Sequence, residues 1–336
     1  MLHHRLADDE TGEIGPGAHP HERTTAMTGT SGTAGTTPER HRPPFGRIAP
    51  AMVTPFHPDG SLDPLGAQTL ATHLVDRGCD GIVLNGTTGE SPTTTDAEQD
   101  RLLRAVLEAV GDRATVTTGV GSNDTRHTVE LARAAERAGA HGLLVVTPYY
   151  SRPSQEGIAR HVAAVADATG LPVMLYDIPA RTGVRLHRET LLRLAEHPRV
   201  AAVKDAAYDL LGSARVIADS GLDYYSGADE LNLPLYSVGA VGAVSTVANV
   251  APEQTRAVLD AHTAGDNAEA LRQHQRLLPL IDAMMGAAPG TVTAKALLRL
   301  LGLPAGPVRL PLVDADAELV GALVRELAAA RPTPVG

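Results

Sequence analysis

The chain has 336 residues, 43% of them apolar, and a formal net charge of −10. That length suits one large α/β barrel or two average domains. An acidic balance with no dense basic block argues against a nucleic-acid or anionic-membrane partner. A single cysteine, Cys79, excludes an intrachain disulfide framework and fits a reducing, cytoplasmic setting. Its place just before an apolar run reads as a buried, inert thiol. No apolar stretch approaches the length of a membrane span.

Residues 1–44 differ in kind from the rest. They are rich in Thr, Gly, His and Pro, lack apolar periodicity, and are expected to be a disordered arm. His3, His4, His19, His21 and His41 fall here, with metal binding the lesser reading of them, and Met27 would open a shorter version of the chain. No signal-peptide core is present in the arm.

From Arg47 a single unit repeats: a short apolar run, a Gly- or Thr-rich loop, then an amphipathic stretch of helical period. The runs Ile48–Val53, Gly81–Leu84, Thr115–Thr118, Gly142–Val146, Pro172–Tyr176, Val200–Lys204, Asp223–Ser226 and Ala240–Ser245 read as strands. Helices are predicted at Leu65–Asp76, Asp96–Val110, Thr125–Ala138, Gln155–Ala168, Arg188–Glu196 and Gly212–Ser220. Gly78, Gly111, Gly139, Gly170 and Gly221 are placed as helix C-caps. Alternation of this kind implies parallel pairing, and eight units imply a (β/α)8 TIM barrel, assigned to residues 45–250. Residues 251–336 change pattern: Pro252–Thr263, Asn267–Met285, Thr291–Leu301 and Ala315–Ala330 read as helices without strands between them. This C-terminal helical extension is expected to serve stability or assembly, with the proline-bearing stretch Gly302–Pro311 as a rigid connector.

In such a barrel, chemistry belongs to the loops after the strands. Thr54-Pro55 follows the first, and Asn85-Gly86-Thr87-Thr88-Gly89-Glu90-Ser91 the second. Gly119 to Asn123 and Thr147-Pro148-Tyr149-Tyr150 follow the third and fourth. Tyr176 and the segment Asp177 to Gly183 end the fifth, Lys204 ends the sixth, Gly227 follows the seventh, and Ser245 ends the eighth. Lys204 closes an apolar run, where a lysine is rarely carried without a partner or a task. Burial and nearby cations lower an amine's pKa, and only the neutral amine attacks a carbonyl. A Schiff-base lysine is one reading, and an ammonium reaching from a strand end to solvent is the other. The loop around Gly86-Thr87-Thr88-Gly89 offers N–H groups and hydroxyls suited to a carboxylate, but lacks the Gly-Lys-Ser/Thr ending of a phosphate loop. An ordinary turn with a helix cap would look the same. Tyr176 can relay protons or simply pack, and Arg181 can grip a substrate carboxylate or pair with Asp177. No metal-ligand spacing and no dinucleotide fingerprint occur at the strand ends, so no cofactor is expected.

These segments carry a resemblance. Ala51-Met52-Val53-Thr54-Pro55-Phe56, Gly86 to Ser91, Thr147 to Tyr150 with Arg152 to Gly157, Leu175 to Pro179 with Arg181, Val203-Lys204-Asp205 and Ser226-Gly227 occur in the order seen in one family. The chain resembles, over residues 45–312, the dihydrodipicolinate synthase (4-hydroxy-tetrahydrodipicolinate synthase) family of class I pyruvate-dependent aldolases. The resemblance implies that Lys204 forms an imine with pyruvate. Tyr176, Thr87 and a neighbouring subunit's Tyr150 would relay protons, Thr88 would hold the pyruvate carboxylate, and Arg181 would hold that of L-aspartate 4-semialdehyde. Gly227 and Val244 would line the pyruvate pocket. It further implies a lyase of lysine and diaminopimelate biosynthesis, working as a homotetramer built from dimers. Departures fall at the rim: Asp205-Ala206-Ala207-Tyr208 stands where Glu-Ala-Thr/Ser-Gly is frequent, Ala228 where an acid is frequent, and Ala180 where Ser or Gly is frequent. Asp96, Gln99 and His127 occupy the positions that bind inhibitory lysine in some members, so feedback is expected to be weak or absent. The competing enzyme reading is a sister aldolase or dehydratase of the N-acetylneuraminate lyase kind, acting on a sugar-derived or other 2-keto acid. A keto-acid sensor without catalysis is the reading from another class.

Overall fold

A computed structural model describes residues 43–330; the predicted N-terminal arm and its histidines lie almost wholly outside the described residues. Eight parallel strands form the centre: β1 (Ile48–Pro50), β2 (Gly81–Leu84), β3 (Thr115–Gly119), β4 (Gly142–Val146), β5 (Val173–Asp177), β6 (Val200–Asp205), β7 (Asp223–Ser226) and β8 (Gly242–Ser245). They run in the order β1-β8-β7-β6-β5-β4-β3-β2. The ring closes where Ala51 bridges Val83 and the Met52 N–H donates to the Val83 carbonyl at 2.9 Å. The first predicted strand ends early because its donors divide there: Ala51 bonds Ser245 on one side and Met52 bonds Val83 on the other.

Around the strands lie α1 (Pro64–Asp76), α2 (Asp96–Val110), α3 (Thr125–Ala138), α4 (Gln155–Asp167), α5 (Pro179–Thr182), α6 (Arg188–Ala195), α7 (Leu210–Ser220) and α8 (Asn232–Ser237). After β8 come α9 (Pro252–Thr263), α10 (Asn267–Gly286), α11 (Gly290–Leu300) and α12 (Ala317–Ala330). Six helices start where a short polar side chain can take an orphan N–H: Asp63, Thr95, Asp124, Ser154, Asp209 and Asp266 each do so. Thr95 and Glu98 form a reciprocal capping box. The Asp209 cap starts α7 two residues ahead of its predicted position. The short helices α5 and α8 went unpredicted, since four and six residues show no period. β8 starts at Gly242 rather than Ala240, because the Ala240 N–H turns back to Leu235 to close α8. Gly139 and Gly221 cap helices in the left-handed region as expected. Gly111 caps α2 in the right-handed region, and Gly170 lies beyond the α4 cap at Ala168.

Strand alternation divides the core in two. Ala49, Val83, Leu144, Met174, Tyr176, Ala202, Tyr225 and Val244 fill the barrel interior. The intervening residues, among them Leu175 and Val203, pack outward against the helices in a much larger cluster. Phe45 plugs the bottom, edge-on to Tyr225 at 6.1 Å, while the Tyr225 hydroxyl donates to the Gly46 carbonyl. Cys79 is buried beneath α1, and burial pushes its thiol up to about 12, which keeps it inert.

The segment between α11 and α12 passes against the loop after β1. Phe56 donates its N–H to Ala305 at 3.2 Å, and a Cβ on Gly306 would stand 1.8 Å from the Phe56 carbonyl oxygen. Gly306 also has φ +66°, so both space and conformation require glycine. Gly306→Ala is therefore expected to cost at least about 2 kcal/mol of unfolding free energy, measured by urea denaturation. A midpoint equal to that of the parent chain would contradict this close approach.

Candidate functional site

The β5–β6 ladder places Tyr176 directly opposite Lys204, and alternation sends both side chains inward. Lys204 is 6% exposed, and its Nζ lies 4.1 Å from the centre of the Tyr176 ring. Burial lowers the amine to about 8; the Asp229 charge opposes that shift and Arg181 adds to it. Burial likewise pushes the Tyr176 phenol up to about 12, with Arg181 and a hydrogen bond from Thr87 pulling the other way. At neutral pH the phenol is a neutral donor beside an amine with an appreciable uncharged fraction.

Gly227 earns its place through the lysine stem. A Cβ there would meet Lys204 Cγ at 2.9 Å, Cε at 3.1 Å and the Asp205 carbonyl oxygen at 3.0 Å. Val244 is 1% exposed in the barrel interior, in the same cluster as Tyr176. Thr87, Tyr149, Tyr150, Tyr176 and Arg181 border a cavity of about 560 Å3 at the mouth. Arg181 sits on α5 and has no carboxylate partner within salt-bridge distance among the described residues. Its suggested pairing with Asp177 does not occur, because Asp177 follows Tyr176 in the strand and faces outward, accepting the Leu186 N–H at 3.2 Å. Thr88 is buried, its hydroxyl 3.3 Å from that of Thr246 after β8. Tyr150 is 91% exposed with φ +71°, a costly conformation for a tyrosine, and within this chain its side chain is the least enclosed of the set. Asp96, Gln99 and His127 border the far side of the same cavity, and His127 already lies between Asp96 at 3.5 Å and Glu130 at 4.0 Å.

Sequence reasoning passed over Asp229. Ala228 was read as the loss of an acid, yet an acid stands one residue later, 5% exposed behind the lysine. Its carboxylate accepts from the Ser245 hydroxyl, from the Thr246 and Val247 N–H groups at 3.0 Å, and from Asn232. Burial pushes this carboxyl up, and the Ser245 hydroxyl and the Val247 N–H pull it back. Tyr208 occupies a left-handed position at φ +58°, where the family's frequent glycine would be unstrained, and its hydroxyl reaches Glu230 at 2.7 Å. It ties the loop after β6 to that after β7.

The arrangement can hold a neutral amine, a phenol and a hydroxyl around a small carbonyl compound, with an arginine nearby for an anionic group. Comparison with known proteins bears on the chain as a whole. The description "Dihydrodipicolinate synthetase family" matches residues 44–330. Over 282 residues the chain is 64% identical to 4-hydroxy-tetrahydrodipicolinate synthase 1 of Streptomyces coelicolor, covering 84% of this chain and 92% of that protein. Over 287 residues it is 60% identical to the 4-hydroxy-tetrahydrodipicolinate synthase of Acidothermus cellulolyticus, covering 85% and 93%. Among solved structures, the lysine-bound DHDPS of Cyanidioschyzon merolae superposes with a TM-score of 0.83 at 40% identity, covering 85% of this chain and 98% of that one.

A lysine forms an imine only as the neutral amine. The rate of borohydride trapping with pyruvate should therefore climb with pH and level off above about 8. Arg181→Met removes a cation that holds the amine down, so its midpoint should move upward. A pH-independent trapping rate, or a midpoint unmoved in the variant, would contradict the assigned electrostatics.

Proposed function

We propose that this chain, which belongs to the dihydrodipicolinate synthetase family, condenses pyruvate with L-aspartate 4-semialdehyde to give 4-hydroxy-tetrahydrodipicolinate. The observation that carries the reading is the buried Lys204 amine, facing Tyr176 across the β5–β6 ladder. In its neutral form it attacks the keto carbon of pyruvate, forming a C–N bond and passing a proton to the new alkoxide. Loss of water leaves the imine. Tyr176, held neutral by burial and bonded to Thr87, relays these protons. Loss of a methyl proton from the protonated imine then gives an enamine whose carbon attacks the aldehyde of the second substrate, the new alkoxide taking up a proton. The semialdehyde's amino group attacks the imine carbon, closing the ring and releasing Lys204 as the free amine.

Thr88, with the N–H groups of its loop, takes the pyruvate carboxylate, and Gly227 and Val244 set the floor and wall around the imine. Arg181 takes the carboxylate of the semialdehyde, which suits a guanidinium fork with no competing acid. Tyr150 joins the relay from a neighbouring subunit of a homotetramer; its exposed side chain on a strained backbone supports such a use in assembly. The relatives' activity favours the semialdehyde over a sugar-derived 2-keto acid as second substrate.

The test is a coupled assay with pyruvate and L-aspartate 4-semialdehyde, run beside Lys204→Ala. Turnover should fall at least about a thousandfold in the variant. A parent chain that traps pyruvate but ignores the semialdehyde would move the function to another aldehyde. The same assay checks regulation. With Asp96 and His127 engaged with each other, L-lysine should not reach half-inhibition below millimolar concentration, and stronger inhibition would overturn that expectation.

A further inference from the structure

α11 lies outside the eight barrel units, yet it touches the loop after β2 at three points. The Thr291 hydroxyl donates to the Thr88 carbonyl at 3.2 Å and lies 3.5 Å from the Thr87 carbonyl. Four residues on, on the same helix face, Lys295 Nζ stands 2.6 Å from Glu90 Oε1, with the two side chains 0% and 1% exposed. Lys295 also donates to the Pro307 carbonyl at 2.8 Å and lies over the Phe56 ring at 4.1 Å. The other Glu90 oxygen accepts the Arg309 N–H at 2.8 Å.

Glu90 has φ +58°, a region that a glutamate seldom adopts. A buried ion pair adds little stability over an apolar pair of the same volume. What it does impose is position, since a buried carboxylate must stand where its ammonium stands. Three carbonyls of the loop are thereby committed inward: Thr87 to Glu90 N–H and Thr291, Thr88 to Thr291, and Gly89 to the Thr54 hydroxyl at 2.6 Å. In a trans peptide the N–H points opposite to the carbonyl. The Thr88 and Gly89 N–H groups therefore face away from α11, and neither has a hydrogen-bond acceptor among the described residues.

We propose that Thr291 and Lys295 are positioning residues for the anion-binding end of the site: α11 grips the back of the Thr87–Glu90 loop and so aims the Thr88 and Gly89 N–H groups at a substrate carboxylate. This rests on the reading of that loop as the pyruvate carboxylate cradle. It gives the C-terminal helices a part in substrate binding beyond the stability or assembly expected of them.

The test uses the full chain and borohydride trapping with pyruvate, followed by mass. Thr291→Val removes the hydroxyl and keeps the shape. It should raise the half-saturating pyruvate concentration roughly two- to tenfold, the scale of one neutral hydrogen bond. The semialdehyde KM should stay near that of the parent, the melting temperature should fall by a few degrees for the stranded Thr88 carbonyl, and Thr291→Ser should restore pyruvate saturation. Lys295→Met alone strands the Glu90 charge, so the informative partner is the double variant Glu90→Gln with Lys295→Met, which removes both charges. It should fold, need more pyruvate, and keep kcat within about twofold at saturation. Unchanged pyruvate saturation in Thr291→Val and in the double variant would overturn the role of α11, as would a change confined to melting temperature. Absence of any trapped adduct in the parent would instead overturn the cradle reading itself.

Discussion

An ionisable amine held almost out of water is the constraint around which the rest of this molecule is arranged. Lys204 reaches that position because parallel pairing sets β5 and β6 in register, with Tyr176 opposite it. The stem fits only because residue 227 has no side chain. Burial disfavours the ammonium form, Asp229 favours it, and Arg181 disfavours it again. The balance leaves an amine that can be protonated or neutral near physiological pH, the condition that imine chemistry needs. Asp229 can carry a charge so deep in the protein because four donors from β8, its following turn and α8 already satisfy it.

The same alternation that turns the reactive pair inward turns their neighbours outward. Asp177 and Asp205 are paired in register just as Tyr176 and Lys204 are, but they face the helix layer. There Asp177 holds the Leu186 N–H, and Asp205 holds the Ala207 N–H and the Ser213 hydroxyl. Its own burial pushes the Asp177 carboxyl up to about 7, with the Asp205 charge adding and the Leu186 N–H opposing. These two strand ends thus each turn one residue into the barrel and the next toward the loop that follows. Support also comes from far along the chain. The loop after β2 is held by Thr246 beyond β8 and by Thr291 and Lys295 on α11. The Phe56 ring lies under both Lys295 and Arg309 at 4.1 Å, joining the loops after β1 and β2 to the same connector.

Much of this was readable locally. Strands such as Gly81–Leu84 and Asp223–Ser226 are apolar or aromatic runs bounded by turn residues, and helices such as Asp96–Val110 carry both a 3.6-residue period and a capping box. The strand ends, once ordered, brought Lys204, Tyr176, Thr87 and Arg181 to one mouth. Less readable were α5 and α8, too short for any period. Asp229 gives no local signal, since an acid after a strand looks the same in sequence whether buried or exposed. Lys295 sits in a helix whose pattern is equally compatible with a lysine reaching solvent.

Sequence by itself determined, apart from the chemistry that the family resemblance implied, the alternation of strand and helix and the residue type at each strand end. Those are properties of spacing at two and at three to four residues, which a chain carries wherever its neighbours lie. Tertiary structure alone decided which polar groups meet: Glu90 with Lys295, Asp229 with the turn after β8, Thr88 with Thr246. Their partners lie well away along the chain, and only strand pairing and the packing of α11 bring them within hydrogen-bond distance. The pKa of Lys204 belongs to that second category, because burial and the field of Asp229 and Arg181 exist only once the barrel has formed.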